Sequence, residues 1–353
     1  MSIKVVFCWS DISGYMAASW RALHQVPDID VFVVAFQART QTAFADELMS
    51  GIPSRLLSLE ERQNEALIQE IVQTAQPDVI VLCGWFHPPY RKLASASLFK
   101  DCAFVMGMDT PWWGTWKQKL APLLLQNFLK KMDRVVVTGE RSWQYAYRLG
   151  VPLEKIRRGV YGIDYQSWFP LWRERQNTPW ARSMLFVGRY TQEKGVDILI
   201  EAYRQYREQV KEPWSLVCCG KGDLSRELDN QPGIKNMGFV QPNQMQTIWQ
   251  NAGAFILPSR FDPWPLALVE ASAAGLPVVC TDACGSAVEV VRSEYNGIIV
   301  PPNNPAALAK AFVTLDENYS LLAEWGKRSQ ALAAPYDAKL WAERWRGWVK
   351  ELV

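Results

Sequence analysis

Short apolar runs punctuate the first half of the chain at residues 4–9 (KVVFCW), 31–36 (VFVVAF), 78–84 (DVIVLCG), 102–108 (CAFVMGM) and 134–139 (RVVVTG). Each is brief and almost continuously apolar, and longer helix-compatible stretches lie between them. That alternation predicts parallel strands buried on both faces, with a helical crossover after each. The rhythm restarts at 183–188 (SMLFVG), 214–220 (WSLVCCG), 253–258 (GAFILP) and 277–281 (PVVCT), so a second α/β sheet is expected. Between the two, residues 165–182 are polar and aromatic with two prolines and show no clear period, which reads as a linker. Open parallel sheets bind ligands at the carboxyl ends of their strands, and two of them facing across a cleft suit a two-substrate reaction.

Composition narrows the class. A chain of 353 residues is long enough for two domains that need neither a disulfide nor a structural metal. With 38 basic and 36 acidic residues the net charge is +2, which gives no broad electrostatic reason to bind nucleic acid. The seven cysteines form no CxxC pair and sit mostly in strand-like runs, so they read as small core residues of a protein kept in the reducing cytosol. Two histidines, His24 and His87, are too few for a histidine-rich metal site. The opening MSIKVVFCWS reads as a strand and not as a signal peptide, and no apolar run reaches transmembrane length.

The sharpest chemistry lies in the second half. In LFVGRYTQEKG (185–195) a strand ends at Gly188, and Arg189 and Lys194 follow just before a helix that begins near Val196. Two cations and a helix N-terminus suit a diphosphate. In PSRFDPWPLALVEASAAGLPVV (258–279) a loop carrying Asp262, Trp264 and Pro265 leads into a helix from about Leu266 to Ala274, with Glu270 inside it. The amides of Leu266 and Ala267 open that helix, where a phosphate would be favoured. CGKGDL (219–224) places Gly220 and Lys221 after a strand, where either a close ligand approach or a plain turn accounts for them.

These segments resemble family 4 of the glycosyltransferases, the group 1 glycosyl transferases, and matching stretches extend over about 134–315. They include GVYGIDYQSWFP (159–170) and CGSAVEVV (284–291), whose Glu289 either orders the loop or simply faces solvent. The resemblance implies a GT-B architecture of two doubly wound, Rossmann-like domains. Residues 1–165 with a returning C-terminal helix at 337–353 would hold the acceptor, and residues 166–336 the nucleotide-diphosphate sugar. It implies that Asp262 accepts hydrogen bonds from donor-sugar hydroxyls, that Glu270 grips the ribose, and that anomeric configuration is retained. No cofactor or metal is expected, because Arg189 and Lys194 already face the leaving diphosphate. The chain departs from the family twice: Asp262 stands where glutamate is usual, and Pro265 replaces a glycine, removing a backbone donor. A nucleotide-sugar epimerase or hydrolase and a non-catalytic nucleotide-sugar binding subunit are the alternatives.

The first half is less distinctive. Gly14 follows the first strand, where similar proteins turn on a glycine to let the diphosphate approach. His87 and Asp109 each follow a strand and are candidates for orienting an acceptor hydroxyl, with Asp109 also placed to cap a helix near Pro111. Residues 111–134 combine three tryptophans, five cations and an apolar helical face, which fits either weak contact with an anionic membrane or a helix covering the sheet. The acceptor is expected to be a carbohydrate or a lipid-linked molecule.

Overall fold

The computed structural model describes residues 2–37 and 47–353. The chain divides into two compact units, residues 1–164 with 336–353 and residues 165–335. Unit 1 is built on a sheet in the order β3-β2-β1-β4-β5-β6-β7, every pairing parallel. Its strands are β1 (Ile3–Trp9), β2 (Ile29–Phe36), β3 (Ser54–Leu57), β4 (Val79–Leu82), β5 (Ala103–Met108), β6 (Arg134–Val137) and β7 (Ile156–Arg158). Side chains alternate across this sheet: Val6, Cys8, Ile80 and Leu82 enter one core, and Val5, Phe7, Val79 and Val81 enter the other. Both faces are covered, which is why these strands are nearly unbroken apolar runs.

The C-terminal helix Ala338–Lys350 closes the second of those cores. Trp341 and Trp345 are buried there against Phe7, at ring separations of 6.3 and 5.4 Å. Their indole N–H groups donate to Val160 O (2.9 Å) and Gly159 O (3.0 Å), so neither polar atom is left unpaired. Leu340, on the same sequence spacing, is 42% exposed instead.

Unit 2 repeats the design with the order β10-β9-β8-β11-β12-β13, again all parallel. The strands are β8 (Ser183–Val187), β9 (Ser215–Cys219), β10 (Ile234–Gly238), β11 (Ala254–Leu257), β12 (Val278–Thr281) and β13 (Gly297–Val300). In each sheet the winding reverses once, between β1 and β4 and between β8 and β11. A crevice is expected beyond the carboxyl ends of those strands.

The linker expected at 165–182 is in fact a helix over Tyr165–Arg175 that packs into unit 2. Tyr165, Phe169 and Trp172 follow the i, i+4, i+7 spacing, with ring separations of 6.2 and 5.3 Å along the helix. Pro170 and the charged residues around it hide that period in the sequence. At the end of this helix the buried Arg175 donates to Trp249 O (2.6 Å) and to Ala274 O. Burial lowers its pKa to about 10, and the two carbonyls take its terminal N–H groups while Nε stays unpaired among the described residues.

Candidate functional site

At the carboxyl edge of unit 2 the loops are laced together by glycines. Tyr190 N–H donates to Lys221 O (2.9 Å), and Gly188 N–H to Cys219 O (3.0 Å), which joins the loop after β8 to the loop after β9. Gly220 has a φ of +156°, and a Cβ there would stand 1.8 Å from Gly188 O. Gly195, at φ +72°, would put one 2.0 Å from Pro258 O, on the loop after β11. Close backbone approach is therefore what these glycines provide, between loop and loop.

On that frame Lys194 Nζ donates to Asp262 Oδ2 at 2.5 Å, with side chains only 15% and 10% exposed. Burial pushes the Asp262 carboxyl above its usual range, while the neighbouring Lys194 ammonium pulls it back. The Asp262 carbonyl accepts from Gly285 N–H at 2.9 Å, so its backbone is held as well. Arg189 extends outward, 66% exposed, to Glu193 at 3.2 Å, and both of these charges act on Asp262.

Sequence reasoning passed over Arg260. Its guanidinium forks onto both Asp197 carboxylate oxygens at 2.6 Å and donates to Gln192 O at 2.5 Å. It thus ties the 258–265 loop to the 189–195 loop through Gln192 O, and to the helix that follows through a bidentate, charge-assisted pair with Asp197. An arginine two residues before the acidic position is the signal that was available.

A cavity of about 400 Å³ opens beside Arg189, lined by Gly188, Arg189, Gly220, Lys221, Phe239 and Met245 among others. Four of the residues singled out in the sequence share that wall. Lys194, Asp262 and Glu270 lie outside it. Glu270 sits within the helix Leu266–Ala273, half-buried, with no hydrogen-bond partner for its carboxyl among the described residues. Burial pushes its pKa up to about 7. Among the described residues no hydrogen bond or ion pair joins it to the Lys194–Asp262 pair.

Pro265 is the cap residue of that helix, and its carbonyl accepts from Ser286 Oγ at 2.8 Å. Leu266 and Ala267 are the first two helical residues, where amides lack an intrahelical acceptor. Trp264 is buried, its indole N–H donating to Glu289 Oε2 at 3.3 Å, so Glu289 orders this loop. Among the described residues no group of three or more His, Cys, Asp and Glu is placed to hold a metal ion.

In unit 1, Gly14 is not a turn residue. Ser13 Oγ accepts from Met16 N–H (3.4 Å) and caps the helix Gly14–His24, which makes Gly14 its first residue. Nor does Asp109 cap a helix near Pro111, because the next helix, Trp116–Leu129, begins later and is capped by Thr115. Asp109 Oδ2 accepts instead from the half-buried Tyr161 hydroxyl at 3.1 Å. Burial raises the Tyr161 pKa, with Asp109 adding to the shift. Cys83, just after β4, lies near Asp109 and Ser10, and burial pushes its thiol up to about 12.

His87 lies 8% exposed at the start of the helix Pro88–Leu93, its Nδ1 accepting from Tyr90 N–H at 3.4 Å. Its ring packs edge-on against Phe36 and Tyr90, and burial lowers its pKa. No contact joins it to Asp109 among the described residues.

Residues 172–332 match the family described as Glycosyl transferases group 1. The chain has the GT-B fold, and the matched segment falls within its second unit. That segment holds the glycine-laced loops and the Lys194–Asp262 pair. Among curated relatives, an uncharacterized glycosyltransferase of Methanocaldococcus jannaschii, MJ1607, is 33% identical over 42% of this chain and 37% of its own length. The putative colanic acid biosynthesis glycosyltransferase WcaL of Escherichia coli is 31% identical over 48% of this chain and 45% of its own. The chain thus spans less than half the length of these relatives. Among solved structures, Anabaena Alr3699/HepE in complex with UDP is 20% identical and covers 99% of this chain and 100% of its own at a TM-score of 0.76. Sucrose-phosphate synthase from Thermosynechococcus elongatus, 16% identical, covers 99% of each at 0.77.

Proposed function

We propose that the protein moves a hexosyl group from a nucleotide-diphosphate sugar to a hydroxyl of a carbohydrate or lipid-linked acceptor, with retention and without a metal. The observation that carries this reading is the convergence of Arg189, Lys194 and Asp262 on loops locked at the carboxyl edge of unit 2.

Breaking a sugar–diphosphate bond builds negative charge on the leaving group, so catalysis needs fixed cations there. One cation about 4 Å from that charge supplies roughly 4 kcal/mol at an effective dielectric near 20, about a thousandfold in rate. Arg189 and Lys194 fill this role. Lys194 has three N–H donors and spends one on Asp262, so the others remain for phosphate oxygens. Asp262 then acts twice, steadying the ammonium with one oxygen and accepting a sugar hydroxyl with the other. Gly188, Gly220 and Lys221 border the space for the nucleotide, the amides of Leu266 and Ala267 meet phosphate, and an ionised Glu270 accepts from the ribose. The solved relative bound to UDP makes UDP-sugars the first donors to try.

In this reading unit 1 takes the acceptor. Asp109, steered by the Tyr161 hydroxyl, orients the attacking group, while the departing phosphate receives its proton. The buried, helix-capping His87 fits that task less well. No nucleic acid takes part, and the cytosol, or the inner face of its membrane, is the expected place of work.

Thermal-shift titration with UDP-, GDP-, ADP- and dTDP-sugars tests the donor half, since a ligand at 100 times its Kd adds about 2.7 kcal/mol of stability. In a transfer assay, Arg189→Ala is expected to lower turnover about a hundredfold or more with the fold intact, because an exposed pair contributes only about 0–1 kcal/mol to stability. Near-wild-type turnover would refute the assignment. Product from donor alone would mark an epimerase or hydrolase, and donor binding without transfer to any acceptor a binding subunit.

A further inference from the structure

The helix Trp116–Leu129 carries two apolar faces. Ala121 and Leu125 turn inward to the core of unit 1. Trp116, Leu120, Leu123 and Leu124, at i, i+4, i+7 and i+8, form a second stripe turned to solvent, with exposures of 68, 46, 78 and 78%. Trp113, just before the helix, is 40% exposed as well. A groove of about 450 Å³ continues the same surface, between Leu123 and Leu129 of the helix with its cap residue Lys130 and Leu149, Val151 and Lys155 beyond.

Four exposed lysines, 117, 119, 130 and 131, surround the stripe, and none pairs with a carboxylate among the described residues. From 110 to 132 the chain holds no aspartate or glutamate. A second copy docked face to face would therefore gather eight lysines with no counter-charge, and lysine is depleted at protein–protein interfaces generally. An apolar stripe edged by tryptophan and lysine matches the boundary of a lipid bilayer, where rings and leucines enter the acyl region and ammonium groups stay among the headgroups. No helix among the described residues is long and apolar enough to cross a membrane, so the contact would lie in the plane of the surface.

We propose that this face of unit 1 seats on an anionic phospholipid bilayer. The proposal rests on the acceptor half of the reading above only for its purpose, which is to bring unit 1 to lipid-linked acceptors. Binding itself depends on the stripe and the lysines alone.

The test is flotation of the full chain with vesicles of phosphatidylcholine, or of phosphatidylcholine mixed with phosphatidylglycerol. Binding is expected to be about tenfold or more tighter to the mixed vesicles and to weaken with salt. The variant Leu123→Ser with Leu124→Ser is expected to lose about tenfold or more, since each leucine forfeits its burial in lipid. Changing all four lysines to glutamine is expected to erase the preference for anionic lipid. These side chains are exposed, so unaltered melting curves check the fold, and a UDP-sugar thermal shift on the same samples keeps the two readings apart. Lost flotation with donor binding retained speaks only to the membrane face, and lost donor binding with flotation retained only to sugar transfer. Wild-type protein that ignores both vesicles, a leucine variant that floats as wild type does, or a wild-type dimer that the leucine variant dissolves would overturn the proposal.

Discussion

The two units share one winding and differ at their carboxyl edges. In unit 2 the edge is charged and rigid: glycines bring the loops into backbone contact, and Arg260 and Lys194 pin the 189–195 loop to the 258–265 loop. In unit 1 the edge is aromatic and mostly neutral, with Asp109 under a tyrosine hydroxyl and thiols and phenols whose protons are held on by burial. The same topology thus presents a rigid, charge-paired edge in one half and a low-charge edge in the other. Shared architecture sets where chemistry is possible, and the loops decide which chemistry.

Glycine substitution breaks this comparison most sharply. Gly220→Ala drives a Cβ into the Gly188 carbonyl, so overpacking and backbone strain together are expected to cost about 3–4 kcal/mol in urea unfolding. Lys194→Ala comes next. It leaves the Asp262 carboxyl buried without its partner, and about 3 kcal/mol of destabilisation is expected, so turnover of this variant must be read beside its stability.

The pH dependence sharpens the same edge. The Glu270 carboxyl is protonated in the free protein below about 7, whereas accepting from ribose hydroxyls needs the ionised form. Donor affinity, measured by calorimetry, is therefore expected to rise with pH up to about 7 and then level off, by at most about tenfold per unit below it. Glu270→Gln is expected to flatten that slope. The folded state also binds the extra proton, so this group makes stability fall as pH rises from 4.5 toward 7. The smallest effect is expected at Gly14, the glycine after the first strand of unit 1. A Cβ on Gly14 meets only Leu48 Cδ2 at 3.8 Å on a helical residue, so Gly14→Ala is expected to shift stability by less than about 1 kcal/mol in the same assay.

What the sequence made legible follows from burial. The central strands β1, β4, β5, β8, β11 and β12 are sandwiched between helices and stand out as apolar runs. The edge strands β3 (SRLL), β7 (IRR) and β10 (IKNMG) pair on one side only and carry exposed polar positions, so no run marks them. β13, the remaining edge, is a run of only four apolar residues, GIIV, and only its two ends are buried, so it does not stand out either. At the candidate site, Arg189 and Lys194 stood out as two cations just before a helix N-terminus, and Asp262 as a carboxylate in a strand-to-helix loop that resembles a known family. Tyr161, Arg260 and the use of Gly195 and Gly220 were not, because each depends on a partner brought close by folding.

Unit 1 is assembled from segments on either side of unit 2. Phe7 packs against Trp341 and Trp345, so the first strand waits for residues made only after unit 2, which is one uninterrupted segment. On the ribosome the second unit is complete before the first, which must keep an unfinished apolar face from aggregating until the closing helix emerges. Nascent chains stalled near residue 335 should therefore hold a finished unit 2 beside a unit 1 that recruits chaperones.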